Sequence, residues 1–231
     1  MRAAVITQPG TVELATVEDP APGPREVVVE VAATGLCGTD LHILQGEFAP
    51  KPPIIPGHEF AGEAMALGSE VTELALGDQV AVAPAANCVR LPDHVDVQDA
   101  ALIEPLSCAV RGYDVLRSRL ASRVLVYGAG TMGLMMLQLA KATGAASVDV
   151  VDTNAERLAT AWIYNQEITI TGSMAALHSF ERAVDLFATG VIDPRVFISD
   201  RLPLAAFPEV VARFQAGIGR KIQIQPGLAT A

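Results

Sequence analysis

The sequence predicts a two-part fold: a small barrel of short β-strands followed by an α/β unit. Three observations carry this reading. Residues 1–90 are rich in Val, Gly and Pro, with short β-like runs recurring between turn signals. Near residue 95 the apolar spacing turns helical. From residue 122 the chain reads strand, glycine turn, helix and strand, which is a βαβ unit.

The predicted elements run in order as follows. AAVIT, VELATV, EVVVEVAATG, GEAMAL and DQVAVA read as strands, punctuated by turn signals such as PG, APGP and GD. The stretch FAPKPPIIPG is too proline-rich for helix and reads as a loop. DVQDAALIEPLSCAVRGYDVL has helical spacing that Pro105 is expected to interrupt. RVLVY and VDVVD are the strands of the βαβ unit, and LMMLQLAKA is its helix. SFERAVDLFATG is an amphipathic helix ended by Gly190, and AFPEVVARFQAG is a second helix. KIQIQP reads as the closing strand.

Composition narrows the function class. The 231 residues suit one or two domains, and 51% apolar content is enough for a sizeable core. A net charge of −10 without a basic run excludes nucleic acid and anionic membrane surfaces as expected partners. MRAAVITQPG has no apolar core of a signal peptide, and no stretch has the length of a membrane span. Cys37, Cys88 and Cys108 form no paired framework, so a reducing, cytoplasmic setting is expected. Internal repeats and low-complexity segments are not evident.

Two short stretches carry the chemistry. Residues 37–42 read CGTDLH and residues 57–71 read GHEFAGEAMALGSEV. A lone Cys is usually a small buried hydrophobe and a lone His a surface or satisfied core residue. Together, Cys37, His58 and Glu59 offer thiolate, imidazole and carboxylate, a set that Zn²⁺ accepts. Three protein ligands leave a fourth position for water or substrate, which suits catalysis. Asp40 reads as a group that orients a ligand rather than binds metal. Cys88 and Cys108 lack suitably spaced partners and are assigned to packing.

A second motif concerns a dinucleotide. Gly128, Gly130 and Gly133 form G-x-G-x-x-G between a strand and a helix, with Thr131 and Met132 at the same turn. The glycines allow the tight turn, the approach of a pyrophosphate and close helix–strand packing, and the helix N-terminus supplies unpaired N–H groups. Asp152 lies about 20 residues further on, at the end of VDVVD. It either accepts from the ribose hydroxyls of NAD, repelling the 2′-phosphate of NADP, or caps the helix near Asn154; the glycine motif favours the first. Arg157 either lies over the adenine or is a solvated helix charge.

The spacing G-H-E-x2-G-x5-G-x2-V is matched in full by Gly57, His58, Glu59, Gly62, Gly68 and Val71. On these residues the chain resembles the zinc-dependent medium-chain alcohol dehydrogenases, in the branch of polyol and threonine dehydrogenases. The resemblance covers nearly the whole chain. It implies a GroES-like β-barrel catalytic domain at 1–106, a truncated Rossmann-type NAD-binding unit at 107–172 and a C-terminal segment at 173–231 that returns to the catalytic domain. The implied activity is NAD-linked oxidation of a secondary alcohol or polyol at one catalytic zinc. Cys37, His58 and Glu59 are then metal ligands. Glu104, in an EPLSC context, stands at the zinc as fourth ligand or holding its water, where classical alcohol dehydrogenases use a cysteine. Glu59 and Glu104 count among the catalytic groups for that reason. Thr39 resembles the hydroxyl that begins the family's proton relay and His42 the imidazole that ends it; their plain alternatives are a turn threonine and a surface histidine. Expected partners are a small alcohol or polyol, with a homo-oligomer left open, and neither nucleic acid nor membrane.

Two parts of the family pattern are absent. No C-x2-C-x2-C-x7-C run exists for a structural zinc, because DQVAVA runs directly into PAANCVRLP. A full six-stranded nucleotide domain needs roughly 130–150 residues, and the segment from Ser122 to Gly172 is about a third of that. WIYNQEITITGS resembles the family's late strand, with several central elements apparently deleted before it. The rival class is therefore a non-catalytic remnant that binds zinc or a partner chain without turnover. A zinc-free quinone reductase of the same superfamily is disfavoured, since it has no need for Cys37 with His58 and Glu59.

Overall fold

The protein is described by a computed structural model over residues 1–47, 51–83, 87–151 and 179–229. The chain divides into two compact units: 1–104 with 184–231, and 105–183. The stretch WIYNQEITITGS, together with Asp152 and Arg157, lies outside the described residues.

In the first unit, strands β1 (Arg2–Gln8) and β2 (Thr11–Thr16) form an antiparallel hairpin. A six-stranded sheet contains β3 (Val27–Gly35), β4 (Glu59–Leu67), β5 (Gln79–Ala83), β6 (Asn87–Arg90), β9 (Ile198–Pro203) and β10 (Lys221–Gln225). The strand order is β6-β5-β4-β3-β10-β9. All neighbours are antiparallel except β10 and β9, which run parallel. The loop read at FAPKPPIIPG carries no regular element over its described part, where Ile54 bridges to Ile6 of the hairpin.

Strand β10 decides the core. Its sequence KIQIQ alternates, so Ile222 and Ile224 point to one face and Lys221, Gln223 and Gln225 to the other. The isoleucines join a core with Ala4 and Ile6 of β1, Ile43 and Leu44, and Phe207, Val210 and Val211. The last two groups lie on helices α1 (Gly38–Gln45) and α5 (Phe207–Gln215), whose buried positions follow the i, i+3, i+4 stripe of a half-buried helix. Full burial of each such aliphatic side chain stabilises by about 1.5–3 kcal/mol. The polar face is buried too, so its groups need partners. Gln223 donates to the Gln98 carbonyl at 3.0 Å and Gln225 to Gln98 Oε1 at 3.1 Å.

The second unit contains α2 (Ile103–Leu116), which begins in the first unit, then β7 (Arg123–Tyr127), α3 (Thr131–Ala142), β8 (Ser147–Val151) and the start of α4 (Phe180–Ala188). Strands β7 and β8 pair parallel from Arg123↔Ser147 to Tyr127↔Val151, with α3 as the crossover. Among the described residues this sheet has two strands. The expected break at Pro105 does not occur. Pro105 falls in the first turn of α2, where its missing N–H has no intrahelical acceptor to lose. Among the described residues no helix is long and apolar enough to cross a membrane.

Strands β3 and β4 approach closely at Gly62, where a Cβ would collide with the Glu30 carbonyl. We expect Gly62→Ala to destabilise the fold by about 1–3 kcal/mol in chemical denaturation, the range for overpacking. Gly227→Ala, with open space around its Cβ position, should leave stability unchanged. Equal stability of the two variants would refute the tight β3–β4 approach.

Candidate metal and dinucleotide sites

Strand pairing builds the first site. The register Gly35↔Glu59 sets the end of β3 beside the start of β4. The chain leaves β3 through Leu36 to Cys37, the N-cap of α1, while His58 directly precedes β4. One register position therefore brings together two segments far apart in sequence. The candidate ligand atoms of Cys37, His58 and Glu59 all lie within 4.8 Å of one another. Among the described residues this is the group with metal-ligand geometry. Ligands at about 2.0–2.3 Å from a tetrahedral zinc stand roughly 3.3–3.8 Å apart, so small side-chain rotations would close these three on an ion. The donor set and the spacing both fit zinc.

Asp40 ties the two segments. It closes a capping box at α1 by accepting from the Cys37 backbone N–H at 2.9 Å. Its other oxygen accepts from the Gly57 N–H at 3.0 Å and lies 3.5 Å from His58 Nδ1. Asp40 is only 3% exposed. This buried carboxylate, and after it Cys37, raises the pKa of His58 from its ordinary value to about 10 against the opposing effect of burial.

Glu59 is 2% exposed and forms a buried ion pair with Lys221 of β10. Lys221 Nζ also donates to the Leu36 carbonyl at 3.2 Å. Sequence reasoning missed Lys221. The available signal was a lysine opening the buried strand KIQIQ, which has meaning only once β10 is known to lie beside β3.

The remaining candidates lie outside this three-residue group. Thr39 is half-buried, with Oγ1 3.8 Å from Cys37 Sγ. His42 is exposed, and its Nδ1 lies 2.8 Å from Glu47 Oε2. Glu104 is buried at the start of α2 and does not belong to the three-residue group.

The glycine turn of the second unit has the expected local geometry. Gly128 has φ 96°, a left-handed value that favours glycine. A Cβ at Gly133 would collide with the Gly128 carbonyl, so the third glycine permits the close turn-to-helix contact. Gly130 is the N-cap of α3 and faces open space, leaving the backbone there accessible beside Thr131 and Met132.

The chain matches the alcohol dehydrogenase GroES-like domain family over residues 23–113. It is 34% identical to sorbitol dehydrogenase of Ovis aries over 200 aligned positions, covering 68% of this chain and 56% of that enzyme. Sorbitol dehydrogenase of Homo sapiens is 32% identical over 225 positions, covering 78% of this chain and 63% of that enzyme. The chain thus spans little more than half the length of the sheep relative. Two hundred aligned positions exceed 68% of this chain, so the alignment passes over stretches that the sheep enzyme has and this chain lacks. Among solved structures, galactitol-1-phosphate dehydrogenase from Escherichia coli superposes with a TM-score of 0.82 at 22% identity, covering 98% of this chain and 100% of that one. 2R,3R-butanediol dehydrogenase from Bacillus subtilis superposes with a TM-score of 0.84 at 18% identity, covering 98% and 99%. These likenesses establish a GroES-like domain with a Rossmann-type unit, here shortened. The motif residues and the relatives agree: over residues 23–113 the chain carries an alcohol dehydrogenase GroES-like domain, and it is similar to sorbitol dehydrogenases over most of its length.

Proposed function

We propose that this chain is a zinc-dependent oxidoreductase that passes hydride from a secondary alcohol or polyol to NAD. The observation that supports it most is the convergence of Cys37, His58 and Glu59 within 4.8 Å in a chain whose residues 23–113 match the alcohol dehydrogenase GroES-like domain. Zinc held there supplies Lewis acidity that lowers the pKa of an alcohol, and NAD supplies the hydride acceptor. Thr39 Oγ1 accepts the alcohol proton as it gives up its own, and the exposed His42 imidazole, taking up one proton and releasing another, delivers it to water. The contact of His42 Nδ1 with Glu47 leaves Nε2 free for that exchange. Asp40, beside His58 Nδ1, would orient the ring and leave Nε2 as the donor for a metal. Glu104 would serve as a fourth ligand or hold the water of the metal. Gly128, Gly130, Thr131, Met132 and Gly133 hold the pyrophosphate, Asp152 the ribose, and Arg157 the adenine side. Domain limits of 1–106, 107–172 and 173–231, a cytoplasmic setting and a homo-oligomeric assembly belong to the same proposal.

The specific observation favouring the second reading, a binding remnant without turnover, is the short nucleotide unit. Its sheet has two strands among the described residues, and a parallel sheet needs cover on both faces.

Three measurements test these readings. Metal analysis should find one zinc per chain, and none after the double substitution Cys37→Ala/His58→Ala; two equivalents, or metal retained by the double variant, refutes the ligand set. Titration should show tighter binding of NADH than of NADPH, and Asp152→Ser should narrow that gap; a preference for NADPH in the unsubstituted chain removes Asp152 from the ribose. NADH formation with a panel of alcohols should be at least about a hundredfold below an ordinary enzyme rate near 10 per second, because a poorly held nicotinamide loses its alignment with the alcohol. Turnover in the ordinary range would show that the shortened unit still positions the cofactor.

A further inference from the structure

Beside the candidate metal site, one buried charged side chain is not accounted for by the proposed chemistry. Lys221 is 6% exposed on β10, two strands away from Glu59 on β4, with β3 lying between them. Side chains from strands about 9.5 Å apart meet only if the intervening strand leaves room. Gly35 provides it. In the sheet register Gly35 lies opposite both Glu59 and Gln223, and a Cβ there would press on Glu59 Oε2 and sit 3.3 Å from Lys221 Cδ. Lys221, on the same face as Gln223, therefore reaches over the bare backbone of Gly35 to the Glu59 carboxylate. The Leu36 carbonyl takes a further ammonium proton at 3.2 Å and fixes the lysine in place. The pair is thus a built feature, with a strand position kept empty of side chain to admit it.

The consequence is electrostatic. A carboxylate at 2% exposure is strongly disfavoured without a counter-charge. In the metal-free chain Lys221 supplies that counter-charge. A divalent cation bound to Cys37, His58 and Glu59 would supply it as well, and would then sit close to the lysine ammonium, with like-charge repulsion strengthened by burial. We infer that Lys221 is the resident counter-ion of the metal site: it keeps the Glu59 carboxylate paired and in position when no metal is bound, and it weakens zinc binding by competing for that carboxylate. This rests on the proposed ligand set, and it adds a positioning residue whose charge makes the metal exchangeable.

The experiment compares the unsubstituted chain with Lys221→Met, which keeps the stem and removes the charge, and with Lys221→Arg, which keeps the charge. After removal of metal by a chelator, Lys221→Met should melt at a lower temperature than the unsubstituted chain. Its zinc dissociation constant, from competition with a chromophoric chelator at fixed pH, should be at least about tenfold smaller. Its thermal shift on adding zinc should be correspondingly larger, and Lys221→Arg should move all three readouts back toward the unsubstituted chain. A merely structural lysine would lower stability and weaken zinc binding together. Unchanged or weaker zinc binding by Lys221→Met, while the unsubstituted chain binds zinc, overturns the inference alone. If the unsubstituted chain binds no zinc, or Cys37→Ala binds it equally well, the metal reading itself fails and the inference with it. If metal-free Lys221→Met does not fold, refolding with zinc should recover it, since the cation replaces the lost charge; failure to recover also overturns the inference.

Discussion

The structure depends on one register position, Gly35 opposite Glu59, between β3 and β4. From it follow the nearness of Cys37 to His58 and the chance for Lys221 to meet Glu59 across the sheet. A slip of one residue would turn every side chain of β4 to the other face and take Glu59 out of the site. The pairing is held by features on both sides. Gly62 allows the close approach further along the same strand pair, and Asp40 fastens Cys37 and Gly57 to each other through two backbone N–H groups. The glycines of the GHE motif and the aspartate of CGTDLH thus serve the geometry of the site.

Much of this was legible in the sequence because it is local. The glycine turn at 128–133 is written in consecutive residues, and its φ values and close contacts follow from having no Cβ. The ligand types and their flanking glycines are equally local. What escaped was long-range or weakly patterned. Helix α1 has eight residues and buries Asp40 among its few inward positions, so no apolar stripe announces it. Its capping box uses Cys37 where a serine or threonine would be the familiar signal. Strands β6 and β9 are sheet edges with polar, partly exposed residues, NCVR and ISDRLP, and lack the alternation of a half-buried strand. Pro105 reads as a break in the sequence because its place in the first helical turn depends on where α2 begins. Lys221 could not be assigned from sequence, since its partner lies 162 positions away.

The same contrast between local and distant construction separates the two units. A glycine turn of the phosphate-binding kind needs one strand, one turn and one helix N-terminus, and the second unit has these elements. A surface that holds a nicotinamide ring draws on several strands of a sheet, which is a property of the whole sheet rather than of any one motif. The candidate metal ligands need only pairings among β3, β4 and β10, all within the first unit and all described.

Charge arrangement gives the candidate metal site its character. Two buried carboxylates, Asp40 and Glu59, would be untenable alone at 3% and 2% exposure. Each faces a basic group: His58 lies beside Asp40 and Lys221 beside Glu59, so acidic and basic groups alternate across the site. The two pairs differ in kind. Asp40 also accepts two backbone N–H bonds, which persist whatever happens to the histidine, so it is a permanent part of the framework. Glu59 has the lysine as its charged partner and is the carboxylate of the three-residue group. A carboxylate satisfied by fixed backbone donors makes a rigid support, whereas one satisfied by a long flexible ammonium can change partners without unfolding its strand. The difference between these carboxylates is therefore set by what pairs them: backbone amides for the one held in the framework, a movable side chain for the one in the candidate ligand group.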